Sequence, residues 1–221
     1  WEHVELKEKE WFAARSPEIA EAPHKASRAK LINQLKKSDP ALHSAYQEAL
    51  RHAEGESHFA RNSGRYPLTA RGRINTYPLF AELARQVISP TGRAGIIVPT
   101  GIATDFNTQF YFQDLVESGA LVSLYDFENR EKLFPEVDSR MKFCLLTLTG
   151  PERPAGEAEY LFFALAVSDL QDSERRFTLS PQDIARINPN TKTAPIFRSR
   201  RDAELTKAIY RRVPVLIEDG P

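Results

Sequence analysis

The chain has 221 residues, of which 30 are basic and 30 acidic, and it contains a single cysteine, which excludes an internal disulfide and a zinc cluster of several thiolates. Apolar content of 41% and charged content of 27% are typical of a globular fold. No apolar run approaches the ~20 residues that a membrane helix needs, and the first residues are too charged for a secretory signal, so we expect a cytoplasmic protein without a membrane span.

The first quarter of the chain is predicted to be helical and charged. Prolines interrupt it, and the two best amphipathic segments are Ser27–Lys37 and Pro40–His52. Residues 55–73 lack periodicity and are predicted to form a loop. Between Ser57 and Arg73 this loop carries no acidic residue and four arginines: Arg61, Arg65, Arg71 and Arg73.

Residues 74–150 predict a helix, a strand, a helix, a strand, a polar loop and a strand. The first helix, Tyr77–Ile88, has its apolar residues on one stripe: 79, 80, 83, 84, 87 and 88. The strands are predicted at Arg93–Val98, Ala120–Phe127 and Met141–Thr149. Strands alternating with helices indicate a mostly parallel sheet with right-handed crossovers. Only a loop joins the last two strands, so that pair is predicted to be antiparallel.

The remainder of the chain predicts a strand over Tyr160–Val167 and a basic helix over Arg201–Arg212. Ten basic and three acidic residues lie between positions 175 and 212, whereas residues 76–150 hold six basic and nine acidic ones. Basic flanks around an acidic centre suit a protein that binds a phosphate backbone, and a solvated surface is the alternative. The candidate DNA-backbone contacts are the arginines of the two basic stretches: Arg61, Arg65, Arg71, Arg73, Arg198, Arg200 and Arg201.

This order of elements resembles the carboxy-terminal half of the catalytic domain in adenine-specific DNA methyltransferases that methylate an amino group. The similarity is to the large restriction–modification methylases of the Eco-fifty-seven-one type. The residues that carry it are the strand leading into Pro99-Thr100, and Phe134-Pro135 in the loop before the last strand. The segment Leu179–Ser199 resembles the lead-in to the DNA-reading part of these enzymes.

The resemblance implies S-adenosylmethionine as cofactor and duplex DNA as partner. The Gly-rich cofactor motif and the Asn-Pro-Pro motif of the family do not occur in this sequence. The chain begins with Trp1-Glu2, and Trp-Glu is common after Asn-Pro-Pro in the family, so we expect a fragment that starts after the second proline. Trp1 would then belong to the catalytic motif and hold the target base, and this chain alone is expected to be inactive.

The resemblance also implies roles for residues of the central segment. Phe134, followed by Pro135, would stack on an extruded adenine, and the alternative is that its ring anchors the loop on the core. Five residues would border the cofactor: Asn75, Tyr77, Phe80, Pro99 and Thr100. Helix capping and core packing are the alternatives for the start of that helix. The histidines lack metal-ligand spacing, so no metal site is predicted.

The fold expected from the sequence is α/β: a partial Rossmann-like methyltransferase sheet of parallel strands plus a final antiparallel strand, with a helical insertion. Its expected divisions are residues 1–73, 74–150 (the carboxy-terminal half of the methyltransferase domain) and 151–221 (a lead-in to a DNA-recognition region). The functional alternatives are a non-catalytic DNA-binding or assembly module and a methyltransferase acting on RNA or protein. A half-sheet exposes one edge, so we expect self-association there unless the insertion covers it.

Overall fold

A computed structural model describes residues 3–217 of the chain. Contacts between Cα atoms divide it into two compact units. We call the part up to Thr76 the helical unit and the part from Tyr77 onward the sheet unit.

The helical unit contains four helices: α1 (Glu8–Ala13), α2 (Pro17–Ala20), α3 (Lys25–Ser38) and α4 (Pro40–Asn62). Prolines begin two of them, which is the position where a missing N–H costs no hydrogen bond. The side chain of Asp39 caps α4 by accepting a hydrogen bond from the N–H of Leu42 at 3.0 Å. The core of the unit is apolar and lies between the helices: Phe12, Ile19, Ile32, Leu35 and Tyr46.

Helix α4 is longer than the sequence pattern indicated, because it continues through Gly55 to Asn62. A single glycine costs a helix about 1 kcal/mol relative to alanine, which a helix of 23 residues tolerates. The predicted loop over residues 55–73 therefore begins only at Ser63, and Arg61 lies on the last turn of α4.

The sheet unit begins with α5 (Thr76–Val87), whose first residue belongs to the helical unit. The elements that follow are β1 (Arg93–Pro99), α6 (Gly101–Thr104), a 3-10 turn over Phe106–Thr108, α7 (Gln109–Glu117), β2 (Leu121–Glu128) and β3 (Lys142–Thr149). Gly119 ends α7 with φ +66°, and a Cβ there would lie 2.8 Å from the Ala155 carbonyl oxygen, so glycine is required. The predicted order of helices and strands is confirmed.

The sheet continues with β4 (Ala158–Ala164) and β5 (Phe177–Leu179), and the chain then forms α8 (Pro181–Ile187) and α9 (Arg200–Tyr210). Ser180 and Asp183 form a reciprocal capping box at the start of α8, with hydrogen bonds of 3.1 and 3.2 Å. In the part of the chain that the structure describes, no helix is long and apolar enough to cross a membrane.

The prediction of a mostly parallel sheet is wrong. The strand order is β1-β3-β2-β4-β5, and only the β2–β4 pairing is parallel among the described strands. The β2–β3 pair is antiparallel as predicted. Strand β3 inserts between β1 and β2, which run in the same direction without touching, and pairs with both. A helical crossover sets the relative direction of two strands but does not make them neighbours, so another strand can insert between them. The sheet is therefore mixed, and a Rossmann-like sheet is not confirmed.

The apolar stripe assigned to α5 does not coincide with its buried face. Its buried residues are Pro78, Ala81 and Glu82, whereas Phe80 is 57% exposed and Val87 71% exposed. The hydroxyl of Tyr111 on α7 donates to the Ala81 carbonyl at 2.8 Å, so α7 packs on the side of the helix that carries the small residue.

Candidate functional site

The sheet unit brings several chemically distinctive residues to one end of its sheet. Strands β1, β2 and β4 run in the same direction, so their carboxyl ends, at Pro99, Glu128 and Ala164, lie at this end together with the start of β3 at Lys142. Loops at the carboxyl ends of parallel strands are where α/β sheets bind ligands. The candidate site is therefore built from these four strand ends.

The Pro99-Thr100 turn is tied to the interior of the sheet. Thr100 is 6% exposed, and its hydroxyl donates to Oδ1 of Asp126 at 2.5 Å. A Cβ on the next residue, Gly101, would overlap the Asp105 carboxylate, so a side chain there would require that carboxylate to move. The Thr100 hydroxyl of this turn is already engaged by Asp126.

Tyr77 lies close to this turn, because its hydroxyl oxygen is 3.2 Å from where a Cβ of Gly101 would stand. Burial raises the pKa of Tyr77 to about 12, and the charges of Asp105 and Cys144 act in the same direction. Partial burial also raises the pKa of the Asp105 carboxyl group. The phenol therefore keeps its proton at neutral pH.

Asp126 is the only residue of β2 that faces two residues of β4. Tyr125 pairs with Leu161 and Phe127 with Ala164, so Phe162 and Phe163 both lie opposite Asp126 and form a β-bulge. Oδ2 of Asp126 accepts the N–H of Phe163 at 3.0 Å. With Thr100 on its other oxygen, this buried side chain joins the turn after β1 to the bulge in β4.

The bulge places Phe163 in a left-handed conformation, with φ +63°. A bulky residue in that region costs about 1–3 kcal/mol and persists only where the surroundings hold it. Arg175 supplies the second restraint, because its Nη2 donates to the carbonyls of Phe162 at 3.1 Å and Phe163 at 2.8 Å. Two cations lie on the ring of Phe163: Lys142 Nζ is 4.6 Å from its centroid, and Arg198 Cζ is 4.3 Å from it.

The loop between β2 and β3 is organised by Asn129, which is fully buried. Its amide donates to the carbonyls of Phe134 at 2.9 Å and Val137 at 3.0 Å, and its oxygen accepts the N–H of Phe134 at 2.9 Å. The Phe134 ring makes a T-shaped contact with Phe143 at 4.9 Å and stays 39% exposed. Pro135 follows on the exposed part of the loop.

Other predicted site residues lie elsewhere. Asn75 belongs to the helical unit, where it forms an antiparallel bridge with His3. Trp1 lies outside the described residues. Among the carboxy-terminal arginines, Arg200 donates from Nε to the Arg176 carbonyl at 3.0 Å, and Arg201 is exposed at the start of α9.

The four arginines between residues 57 and 73 all belong to the helical unit, and all are exposed. Arg61 and Arg73 line a cleft of about 720 Å³ together with Arg28. Arg61 donates to Ser57 and to the Gly72 carbonyl, and Arg73 pairs with Glu5. Arg65 and Arg71 are not among the residues that line the cleft.

Three residues of this site were missed in the sequence: Asp126, Asn129 and Phe163. A carboxylate inside the buried strand β2 is an available signal, since such a group must find partners. The position of Phe163 had no signal, because a bulge depends on how two distant strands pair.

Comparison with known proteins finds weak structural similarity. No protein family model and no curated protein matches this chain. The type IIG restriction endonuclease BpuSI is similar over 62% of this chain, with 18% identity and a TM-score of 0.41. The match spans 18% of the length of BpuSI. Similarity at this level establishes neither a common fold nor a common function.

Proposed function

We propose that this chain is part of an S-adenosylmethionine-dependent methyltransferase of a restriction–modification system that acts on adenine in duplex DNA. The observation that carries the proposal is the presentation of Phe134, whose ring is 39% exposed on an irregular loop at the carboxyl end of β2. An enzyme that modifies a base must first extrude it from the duplex. An accessible aromatic ring on a loop held by Asn129 suits stacking on such a base.

The surroundings of Phe134 allow both functions considered for it. The T-shaped contact with Phe143 fixes the ring at an interplanar angle of 81°, and the accessible part of the ring is free to meet a base. Phe143 is itself stacked on Phe127 with 5.2 Å between the ring centroids, so the Phe134 ring packs against a pair of stacked phenylalanines. Stacking of a nucleobase on an aromatic side chain is worth roughly 1–3 kcal/mol, and a preorganised ring gives up little conformational entropy to achieve it.

The cofactor proposal fits some of the candidate residues better than others. Phe80 is 57% exposed, and the hydroxyl of Tyr77 is protonated at neutral pH, as it would be at the ordinary pKa of a tyrosine. Both suit contacts with the adenosine part of S-adenosylmethionine, which when bound supplies an activated methyl group. The Thr100 hydroxyl does not fit, since it donates to Asp126. Pro99 and Thr100 would contribute backbone shape.

The contribution of this chain to the reaction is positioning. Phe134 would hold the extruded adenine, and the turn after β1 would border the methyl donor at the same end of the sheet. The Asn-Pro-Pro motif that would accept hydrogen bonds from the amino group is absent from the sequence. We therefore expect methyl transfer only from a longer polypeptide that includes it.

The test is transfer of labelled methyl groups from S-adenosylmethionine to duplex DNA by the full-length product of the gene. We expect Phe134→Ala to lower kcat/KM for DNA by roughly 5- to 150-fold, which corresponds to the loss of one stacked base at 1–3 kcal/mol. Phe134→Tyr keeps the ring and should retain activity within a few-fold. Phe134→Leu keeps the apolar contact with Phe143 but not the aromatic face, so it should behave like the alanine variant.

Phe59→Ala is the matched control, because Phe59 is an exposed phenylalanine of α4 in the helical unit, at 53% exposure. It should leave methyl transfer unchanged. Full activity of Phe134→Leu would show that the residue only anchors its loop. Absence of any transfer to DNA by the unmodified protein would refute the proposed function.

A further inference from the structure

Phe163 is held in a costly conformation by two side chains, Asp126 and Arg175. Its φ of +63° lies in the left-handed region, its N–H is bound by buried Asp126, and its carbonyl is bound by Arg175. Arg175 is oriented in turn by an ion pair with Asp169 at 3.2 Å. Strained residues that the surroundings over-determine are concentrated at binding sites, and bulges re-aim side chains there.

Two cationic side chains lie against the ring of Phe163. Lys142 and Arg198 are both exposed, they come from parts of the chain 56 residues apart by number, and each places its cationic group within 5 Å of the same ring centroid, at 4.6 and 4.3 Å. An aromatic ring attracts a cation by its quadrupole, so it can hold two cations close together without neutralising them.

The acidic groups nearby do not cancel this charge. Lys142 lies 3.2 Å from a Glu128 carboxylate oxygen, but the same carboxylate also pairs with Arg130 at 2.6 Å. Within the described part of the chain, no acidic side chain forms an ion pair with Arg198. Lys142 and Arg130 thus share one carboxylate and Arg198 pairs with none that the structure describes, so these three cations exceed the carboxylate by two positive charges.

We propose that Lys142 and Arg198, held on the ring of Phe163, bind a phosphate group of a nucleic-acid backbone. Arg198 supplies a planar fork of donors that matches two phosphate oxygens, and Lys142 supplies a point charge. Phe163 acts as a positioning residue that fixes both. The inference rests on the proposed function for its ligand, and it adds a phosphate site that pairs Arg198 with Lys142 and a ring.

The position of the cluster agrees with that ligand. Lys142 directly precedes Phe143 on β3, and Phe143 contacts Phe134. The phosphate site and the candidate base-stacking ring therefore lie at the same end of the sheet, beside consecutive residues of β3, Lys142 and Phe143. A strand turns successive side chains to opposite faces, so backbone and base would be held from two sides of β3.

The experiment measures binding of the full chain to a fluorescent duplex of about 20 base pairs by anisotropy, between roughly 50 and 200 mM KCl. We expect Arg198→Ala and Lys142→Ala each to weaken binding by about 5- to 10-fold and to reduce the slope of log affinity against log salt by up to ~0.9, as expected for one lost phosphate contact. Arg15→Ala is the matched control. Arg15 is an exposed arginine 4.4 Å from the Trp11 ring centroid, outside this cluster.

Phe163→Gly tests the positioning role separately from folding. Glycine adopts φ +63° without strain, so the thermal midpoint should stay close to that of the wild type while DNA affinity and the salt slope fall as in Arg198→Ala. Phe163→Tyr keeps the ring and should restore both. A structural role alone would change the thermal midpoint and leave the salt slope unaltered.

The same variants are titrated with tripolyphosphate, which identifies the source of the phosphate. In one outcome the wild type binds DNA, and three variants bind it as tightly as the Arg15→Ala control does: Lys142→Ala, Arg198→Ala and Phe163→Gly. That result would overturn the phosphate site and leave the proposed function standing. A second outcome is that the wild type binds tripolyphosphate but not DNA, and that these variants abolish tripolyphosphate binding. That result would overturn nucleic acid as the ligand and with it the proposed function. Binding of neither probe would overturn both.

Discussion

Asp126 is the residue on which the geometry of the candidate site depends. It is 1% exposed, and its two oxygens bind the Thr100 hydroxyl at 2.5 Å and the Phe163 N–H at 3.0 Å. One side chain thereby fixes the turn after β1 and the bulge in β4. A carboxyl group in a sheet interior is tolerated here because each of its two oxygens accepts a hydrogen bond.

Removal of the Asp126 carboxyl should therefore destabilise the sheet unit. Asp126→Ala leaves the Thr100 hydroxyl and the Phe163 N–H without their acceptor, which we expect to cost about 2–4 kcal/mol of unfolding free energy. Asp126→Asn keeps one acceptor for Phe163 and should cost less. Cys144, the single cysteine, is fully buried opposite Asp126 on β3, so its labelling by a thiol reagent in urea reports this unfolding.

With an m-value of about 2 kcal/mol per molar urea, the labelling midpoint of Asp126→Ala should fall by roughly 1–2 M. Glu152→Ala, which removes an exposed carboxyl from a turn, serves as the comparison. Equal midpoints for Asp126→Ala and wild type would contradict the structural role given to Asp126.

Strand β1 is the element whose exposure has the clearest consequence. It lies at one end of the strand order and pairs only with β3 among the described strands. Its side chains alternate between exposed and half-buried along most of its length, and Ile97 is 44% exposed. Unpaired backbone groups beside an exposed apolar residue favour pairing with another chain.

We expect the chain to self-associate through β1 at concentrations of about 100 µM, with a sedimentation coefficient that rises with concentration. Ile97→Lys places a charge on the edge and should restore a monomer. Ile196→Lys changes an isoleucine of similar exposure, 48%, in the loop before α9, which is not part of β1, and should not restore a monomer. Concentration-independent sedimentation of the wild type would refute edge pairing.

The elements show which features of the fold the sequence could predict. Hydrophobic periodicity and Gly or Pro breaks located the helices and strands, and the loop between β2 and β3 required an antiparallel pair. Strand order was not predictable, since β3 could pair beyond β2 or insert between β2 and β1 with the same local sequence. The exposed face of α5 was misjudged because an apolar stripe does not indicate which neighbour covers it.

The candidate site follows the same division. Phe134 was proposed because Phe134-Pro135, just before a predicted strand, resembles a feature of the methyltransferase family, and its role stays a prediction. Asn129 and Phe163 were not found, since the first acts through backbone atoms of a loop that folds around it, and the second depends on a register shift between β2 and β4.

At the scale of the whole molecule, a net charge of zero conceals a separation of charge along the sequence. The acidic central segment is flanked by basic stretches, and Arg198 from the second of these lies beside Lys142 at the candidate site. A phosphate backbone would be attracted by local clusters of this kind, and the attraction weakens as salt increases. These clusters and the ring of Phe134 together support the proposal that duplex DNA is the substrate.

The most direct test of this account is mass spectrometry of nucleosides from the DNA of cells that lack adenine methylation and express the full-length gene. We expect N6-methyladenine in that DNA, and a marked reduction when Phe134 is replaced by alanine at equal protein levels. Methylated nucleosides in RNA or methyl groups on protein, with no N6-methyladenine in DNA, would contradict it.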